Sequence, residues 1–399
     1  MTHFQAPPFL TLPAVQTVFA LARQAGGEAR LVGGCVRDYI LARTHQQIDI
    51  DMAVNLPIAT LIEVAETAGI RVLATGLAHG SVTLMIEQMK IEVTQTRADI
   101  APDGRHTQIG FTSDWQEDAH RRDFTINALY IDESGHLHDD VGGMADLKAM
   151  NLRFIGDAAA RIDEDYLRIL RAVRFCAQMP ELSLGSEALA AMMNKAPCLQ
   201  QLSGERIHAE LHKSLSAKGW EKAVDLMRQT QIDTALFGVS FSACDADLIA
   251  LSAHHRWLVI LASILPSEVI MAQRDRLRLS NAETQILSSL IKPFSDYEWA
   301  LLASDNCAEY AYHEPLHLAE RALVFMARYK PSVRLDADLV RQIDLFDPPP
   351  CPVTGHDLIK AGVPAGQSMG VYIQRAKSYF AASQFTADKE AILSYLLDS

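Results

Sequence analysis

The chain has 399 residues, 49% of them hydrophobic and 21% charged, with a formal net charge of −13. Such a composition describes a globular protein of about two to four domains. The net acidity excludes broad electrostatic binding to nucleic acid through the whole surface. Charge is uneven, however: residues 1–146 hold 10 Lys/Arg against 19 Asp/Glu, residues 147–240 hold 12 against 11, and the remainder 14 against 19. RNA contacts are therefore sought in the middle segment. Cysteines 35, 176, 198, 244, 307 and 351 form no CxxC pair and no metal-ligand spacing, which reads as thiols in a reducing compartment. No basic residue precedes Arg23 and no cleavage-like apolar region follows, so no signal peptide is expected. The longest apolar run, Trp257 to Leu265, is too short for a bilayer and reads as a core helix. A cytoplasmic protein is expected, with no membrane and no obligatory protein partner.

In chain order, Val15, Val18, Phe19 and Leu21 give a helix over residues 13–26 that ends at Gly26-Gly27. Leu31 to Asp38 reads as strand, glycine turn and helix, and Asp49-Ile50-Asp51 as the next strand. On a strand Asp49 and Asp51 project to one face, with Ile48 and Ile50 on the other. Two adjacent carboxylates repel unless a hard cation lies between them, and Mg²⁺ prefers one or two carboxylates plus substrate phosphates. The Gly33-Gly34 turn lets backbone approach a phosphate at a helix start, and Arg37 adds positive charge. An ordinary turn and a solvated strand end would explain each motif singly; together they point to chemistry on a nucleoside triphosphate.

Pro57 to Ala68 reads as a helix closed by Gly69, followed by strands at Val72-Leu73-Ala74, Ser81 to Ile86 and Lys90 to Thr96. The expectation is a small sheet with helices on one face, too mixed in pattern for a doubly wound parallel fold. Residues 98–112, with Pro102-Asp103-Gly104 and no strong periodicity, read as a flexible loop. From about Ala158 amphipathic helical patterns dominate, broken at Pro180, Pro197, Pro266, Pro293, Pro331 and Pro348-Pro349-Pro350. The fold class is α+β, a catalytic head followed by an all-α arm.

Three further constellations carry chemistry. Glu92, between Ile91 and Val93, fits either a third carboxylate facing Asp49 and Asp51 or a surface glutamate. Arg121-Arg122-Asp123 fits triphosphate binding through guanidinium groups, and also a helix N-terminus capped by Asp123; both can hold at once. Asp165, Arg168, Arg171 and Arg174 follow at steps of three on a helical pattern, beside an apolar ridge of Leu167, Leu170 and Val173. That is either a salt-bridged surface helix or a nucleobase reader. In the second reading Asp165 accepts from an exocyclic amino group while Arg168 donates to a ring nitrogen, which admits C and A and rejects G and U. His138-Asp139, His254-His255 and His356-Asp357 do not assemble the order of a metal phosphohydrolase.

These segments, together with Asp140-Val141-Gly142-Gly143-Met144-Ala145-Asp146-Leu147, resemble in order and spacing the motifs of class II tRNA nucleotidyltransferases, the CCA-adding enzymes and their bacterial poly(A) polymerase relatives. The strong motifs cover about residues 30–175. Val353-Thr354-Gly355-His356-Asp357-Leu358 with Gly362 and Gly366 is similar to a segment near the end of many members. The resemblance implies a polymerase-β-like nucleotidyltransferase head (residues 1–150), then an all-α neck (151–220), body (221–345) and tail (346–399). It implies catalytic Asp49, Asp51 and Glu92, with Mg²⁺ on Asp49 and Asp51. Gly34, Arg37 and Arg122 would contact the triphosphate, Asp165 and Arg168 the base, and Arg171 and Arg174 would complete the nucleotide site. The implied activity is addition of CCA to the tRNA 3′ end from CTP and ATP. Poly(A) polymerase is the alternative, although residues 241–399 are net acidic where those enzymes tend to carry a basic extension. A CC- or A-only variant is another, although a CC-only enzyme would lack the 98–112 loop. An inactive RNA-binding scaffold is remote, because both metal carboxylates are present.

Overall fold

The computed structural model describes residues 5–43, 49–74, 76–102, 107–252, 254–302, 312, 318–329, 337–347, 349–364, 366 and 368–397. Ile48, Asp103-Gly104, Cys307, Pro331 and Pro348 lie outside these. Two compact units are formed, Met1–Leu202 with Ala217–Leu236, and Ser203–Ser216 with Phe237–Ser399.

The first unit holds every strand among the described residues: β1 (Ala29–Val32), β2 (Ile50–Val54), β3 (Arg71–Leu73), β4 (Ser81–Ile86), β5 (Met89–Gln95), β6 (Arg97–Pro102), β7 (Thr107–Phe111), β8 (Tyr130–Ile131) and β9 (Leu137–His138). Seven form one sheet in the order β3-β4-β5-β2-β1-β8-β9. Only β2 and β5 pair parallel; the other pairs are antiparallel, the mixed sheet that the sequence pattern implies. Side chains alternate as a half-buried sheet requires. Ile50 and Met52 sit beside Ile91 and Val93, all buried, while the intervening pair is Asp51 and Glu92. A two-residue turn joins β4 to β5, with Ile86 opposite Met89 and both Glu87 and Gln88 left-handed (φ 48° and 67°).

Helix α1 (Pro13–Gln24) starts on a proline, whose fixed φ suits the first helical position. It ends in a Schellman motif, with Gly27 N–H donating to Ala22 O and Gly26 N–H to Arg23 O. Helix α2 (Gly34–Ile40) follows the glycine turn, and α3 (Ile58–Thr67) closes like α1, Ile70 donating to Ala65 O and Gly69 to Glu66 O. Two expectations fail here. The sheet is not covered on one face alone: Trp115 and Ala119 of α4 (Trp115–His120) pack with Val32, Ala53 and Tyr130 on the face that carries Asp51. A six-residue helix is too short for its periodicity to stand out. Nor is the expected flexible loop over residues 98–112 irregular throughout: of its described residues, 98–102 and 107–111 lie in strands. β6 and β7 pair as an antiparallel ribbon with an irregularity between Ile100 and Pro102. Proline and glycine hide a strand from pattern reading; here Pro102 sits at the end of β6, next to the irregularity.

Helices α5 (Gly143–Lys148), α6 (Ala158–Glu164) and α7 (Leu167–Gln178) complete the part of this unit that bears on the site. In the second unit, helix Arg256–Ile264 is buried from Trp257 onward, as the apolar run implies. One core gathers around Phe294, Trp299, Leu323 and Val340, another around Leu358, Phe380, Ile392 and Leu396. The Thr354–Asp357 segment is a capping box opening helix Gly355–Lys360, and Asp357 also accepts from Lys389 at 2.8 Å. No described helix is long and apolar enough to cross a membrane.

Gly143 is a close-approach glycine: a Cβ there would lie 2.3 Å from Thr125 O, in a buried turn. Gly143→Ala should destabilise the protein by about 1–3 kcal/mol or more, because rigid backbone must shift. Gly185→Ala, where nothing lies within 4 Å, should change stability by less than about 0.5 kcal/mol. Urea denaturation of both variants checks this; equal midpoints would remove the steric argument.

Candidate active site

The Gly33-Gly34 turn, the edge of β2 and the middle of β5 converge. Gly33 has φ 76° and ψ −129°, a conformation side chains rarely adopt, and a Cβ there would lie 3.9 Å from Asp51 Oδ2. Asp49 stands immediately before β2, exposed, and Asp51 is half-buried within it. Glu92 is the direct partner of Asp51 across the parallel pair. Burial first, then Glu92 and Asp49, push the Asp51 carboxyl up to about 6, with Arg122 acting in the opposite sense. Glu92 is therefore both exposed, as the surface reading has it, and close enough to Asp51 to act on its charge. Cys35 of the same turn is buried, donates to Val32 O at 3.3 Å and has its thiol pushed up to about 11, so it is a packing residue.

Asp49 and Asp51 are the carboxylates that could take a divalent cation, with its remaining ligands coming from outside the protein. Among the described residues no side-chain ion pair is made by Asp49, Asp51 or Glu92. Among the described residues no group of three or more His, Cys, Asp or Glu is placed to hold a metal ion by itself, these three carboxylates included. Two carboxylates whose remaining ligands come from water and substrate phosphate are the Mg²⁺ pattern.

The arginines are held by carboxylates. Arg122 Nε and Nη2 donate to Asp118 Oδ2 at 3.1 and 2.9 Å, and Nε to Tyr130 Oη at 2.8 Å. Burial opposes the Arg122 charge, but Tyr130 and Asp118 outweigh it and hold its pKa above the ordinary value. The arginine pair lies at the C-terminal end of α4 rather than at a helix N-terminus, and Asp123 accepts from Phe124 N–H ahead of a short 3₁₀ turn. Arg37 Nε donates to Asp38 at 2.9 Å and Nη1 to Asn127 Oδ1 at 2.8 Å. Asn127 Nδ2 in turn donates to Asp123 Oδ1 at 3.3 Å, and Asp123 Oδ2 accepts from Arg171 Nε at 2.6 Å. Burial raises the Asp123 pKa, but Arg171 and the hydrogen bonds overcome it, so the carboxylate titrates below its usual range. Arg37, Arg171 and Arg174 also surround one ring, their guanidinium carbons 5.3, 5.8 and 4.9 Å from the centroid of Phe175.

The nucleobase-reader segment departs from expectation at one residue. Asp165 is extended (φ −156°) between α6 and α7, and its Oδ1 accepts from Leu167 N–H at 3.0 Å. It does not share the helix surface with Arg168, Arg171 and Arg174. Arg168 is fixed by Glu164, by Arg161 O at 2.6 Å and by Arg121 O at 3.4 Å, while Arg161 binds Arg122 O at 2.7 Å. Of the apolar ridge, Leu170 and Val173 are buried and Leu167 half-buried. Sequence reasoning missed Asp118, Asn127 and Glu164 as holders of these arginines. Asp118 precedes Arg122 by four residues on a helix, a spacing that could have exposed it.

Comparison with known proteins identifies the family. Residues 29–153 match a family model described as "Poly A polymerase head domain", and residues 181–238 one described as "Probable RNA and SrmB- binding site of polymerase A". The chain is 30% identical to mitochondrial CCA tRNA nucleotidyltransferase 1 of Mus musculus, over 98% of this chain and 92% of that protein. It is 29% identical to a CCA-adding enzyme of Streptococcus pyogenes, over 89% of each. Among solved structures, the Bacillus stearothermophilus CCA-adding enzyme in complex with CTP superposes with TM-score 0.79 at 24% identity, over 99% of this chain and 98% of that one. The Thermotoga maritima enzyme complexed with tRNA gives TM-score 0.71 at 21% identity, over 100% and 99%.

The raised Asp51 pKa has a sign. Ionising this carboxyl costs the folded state free energy, so the stability is fully present below the unfolded value of 3.8 and is lost as pH rises through about 6. Asp51→Asn removes the cost. In EDTA the variant should exceed wild type by about 1–3 kcal/mol at pH 8, the upper end being two pKa units undiscounted for solvent. The advantage should shrink toward zero near pH 3.5. Added Mg²⁺ should raise the melting temperature of wild type and leave the variant unmoved. A pH-independent difference would mean that the trio does not load Asp51.

Proposed function

This chain belongs to the CCA-adding enzyme family of tRNA nucleotidyltransferases, and on that premise we propose that it adds C, C and A to the tRNA 3′ end from CTP and ATP. The observation that carries the reading is the Asp49, Asp51 and Glu92 trio beside the Gly33-Gly34 turn, in the same unit as a partly buried set of carboxylate-held arginines. The tRNA 3′-oxygen bonds to the α-phosphorus of the nucleotide, the bond from that phosphorus to its bridging oxygen breaks, and pyrophosphate leaves. The family uses a divalent metal; Mg²⁺ on Asp49 and Asp51 would lower the pKa of the attacking hydroxyl and neutralise triphosphate charge.

In this reading Glu92 supports the metal carboxylates from the neighbouring strand. Gly34 leaves room for the phosphates, and Arg37 and Arg122 bind them. Asp165 and Arg168 present an acceptor and a donor to the base edge, and Arg171 and Arg174 complete the nucleotide pocket. The positions of Arg37, Arg122, Arg168 and Arg171 are set before any ligand arrives by Asp38, Asp118, Glu164 and Asp123. Preset cations recognise a triphosphate without the ordering cost that loose side chains would incur. Division into head (1–150), neck (151–220), body (221–345) and tail (346–399) is part of the proposal, as is a cytoplasmic location, which cell fractionation tests against the mitochondrial naming of the mouse relative.

The direct test is a tRNA ending before its CCA, given each labelled nucleotide singly and together. Two C and one A are expected; long A tracts would assign a poly(A) polymerase instead. Asp49→Ala or Asp51→Ala should lower turnover about a thousand-fold or more with the circular dichroism spectrum intact. Turnover within tenfold of wild type would end the metal assignment. Arg168→Ala should shift the C:U ratio of kcat/KM by about five- to a hundred-fold, the worth of a bidentate polar contact. Lower activity at an unchanged ratio would make Arg168 a structural partner of Glu164.

A further inference from the structure

We infer that Asn127 is a positioning residue that couples Arg37, on the triphosphate side of the nucleotide site, to Arg171, on its other side. The inference rests on the nucleotide-binding reading above and names a residue outside it. Asn127 is 8% exposed and Arg37 equally so. Its amide makes one contact with each charge type: Oδ1 accepts from Arg37 Nη1 at 2.8 Å, and Nδ2 donates to Asp123 Oδ1 at 3.3 Å. Chemistry fixes the orientation of the amide. Turned over, it would set an N–H against a guanidinium and an oxygen against a carboxylate. Asp123 carries the contact onward to Arg171 at 2.6 Å. Two cations that lie 134 residues apart in sequence (171 − 37) are thereby joined by hydrogen bonds through Asn127 and Asp123, in addition to flanking the Phe175 ring.

An asparagine fits this place for a physical reason. The bridge runs from a cation to an anion, so its ends must be an acceptor and a donor. Aspartate keeps the acceptor for Arg37 but sets a second carboxylate against Asp123. Alanine keeps neither. Asn127 sits in a 3₁₀ turn, Thr125–Asn127, with its neighbours Thr125 and Ile126 buried, so the side chain leaves from fixed backbone. Loosening Arg37 therefore loosens Asp123 and Arg171 through the shared amide, and the two arginines act on the nucleotide as a unit.

The test is a double-mutant cycle repeated in two backgrounds. CTP and ATP binding is titrated, with Mg²⁺ present and no RNA, for Arg37→Ala, Arg171→Ala and the pair, each with Asn127 and with Asn127→Ala. With Asn127 in place the double variant should lose at least fivefold less affinity than the product of the single losses. With Asn127→Ala the losses should multiply. Asn127→Asp, of nearly unchanged volume, should lower the affinity of the protein still carrying Arg171 and have little further effect once Arg171 is gone. A coupling of unchanged size in Asn127→Ala, or Asn127→Asp binding CTP as wild type does, overturns the inference. Binding is read without the transfer reaction, so a wild type that takes up triphosphate yet adds no CCA fails the functional reading and leaves the coupling to be decided by these data.

Discussion

Charge compensation governs this site, and it is distributed unequally. Arg37, Arg122, Arg168 and Arg171 each have a carboxylate in direct contact. Asp51 has Glu92 and Asp49 beside it and is drawn down by Arg122, while Glu92 also acts on Arg97. Asp51, half-buried beside two exposed carboxylates, carries a cost of burial and like-charge repulsion in its ionised form. The excess around it is negative, while the arginines are held by carboxylates of their own. Sheet and helices both serve this arrangement. β2 and β5 bring the carboxylates together, while α4, α6 and α7 bring the arginines to their holders.

What the sequence revealed, and what it hid, follows from the range of each interaction. The glycine turn, the paired aspartates and the helix stops at Gly26 and Gly69 are local, so spacing alone located them. Glu92 stayed undecided because its meaning depends on pairing with Asp51, a parallel register joining strands some forty residues apart. Arg171 and Asp123 are 48 residues apart and Arg37 and Asn127 are 90 apart, and no pattern within a window reports such partners. Asp165 was misplaced for a different reason. Steps of three assume an unbroken helix, but the backbone opens between α6 and α7 at that residue. The β6–β7 ribbon was hidden by its own proline and glycine content.

The C-terminal segment that resembles a family motif has a role that needs no substrate. Thr354 and Asp357 satisfy each other's backbone donors at the start of a helix, and Lys389 ties the cap to helix Lys389–Leu397. A sequence signature can thus persist in reasoning as a site when its chemistry is that of a helix start. The motifs of the first unit differ in that their polar groups converge from several elements on one place.

The turn at Glu87-Gln88 deserves a different measure of importance from the one its solvent exposure suggests. It fixes where β5 begins, and β5 presents Glu92 on the face of Asp51 with Ile91 and Val93 on the other. Side chains on a strand alternate, so one inserted residue absorbed as a slip of β5 would turn Glu92 into the apolar layer and set a hydrophobic side chain beside Asp51. Surface loops are ordinarily the places where lineages gain and lose residues freely. Here two exposed polar residues set the register of the strand that carries Glu92, so the length of this hairpin matters more than the identity of its side chains.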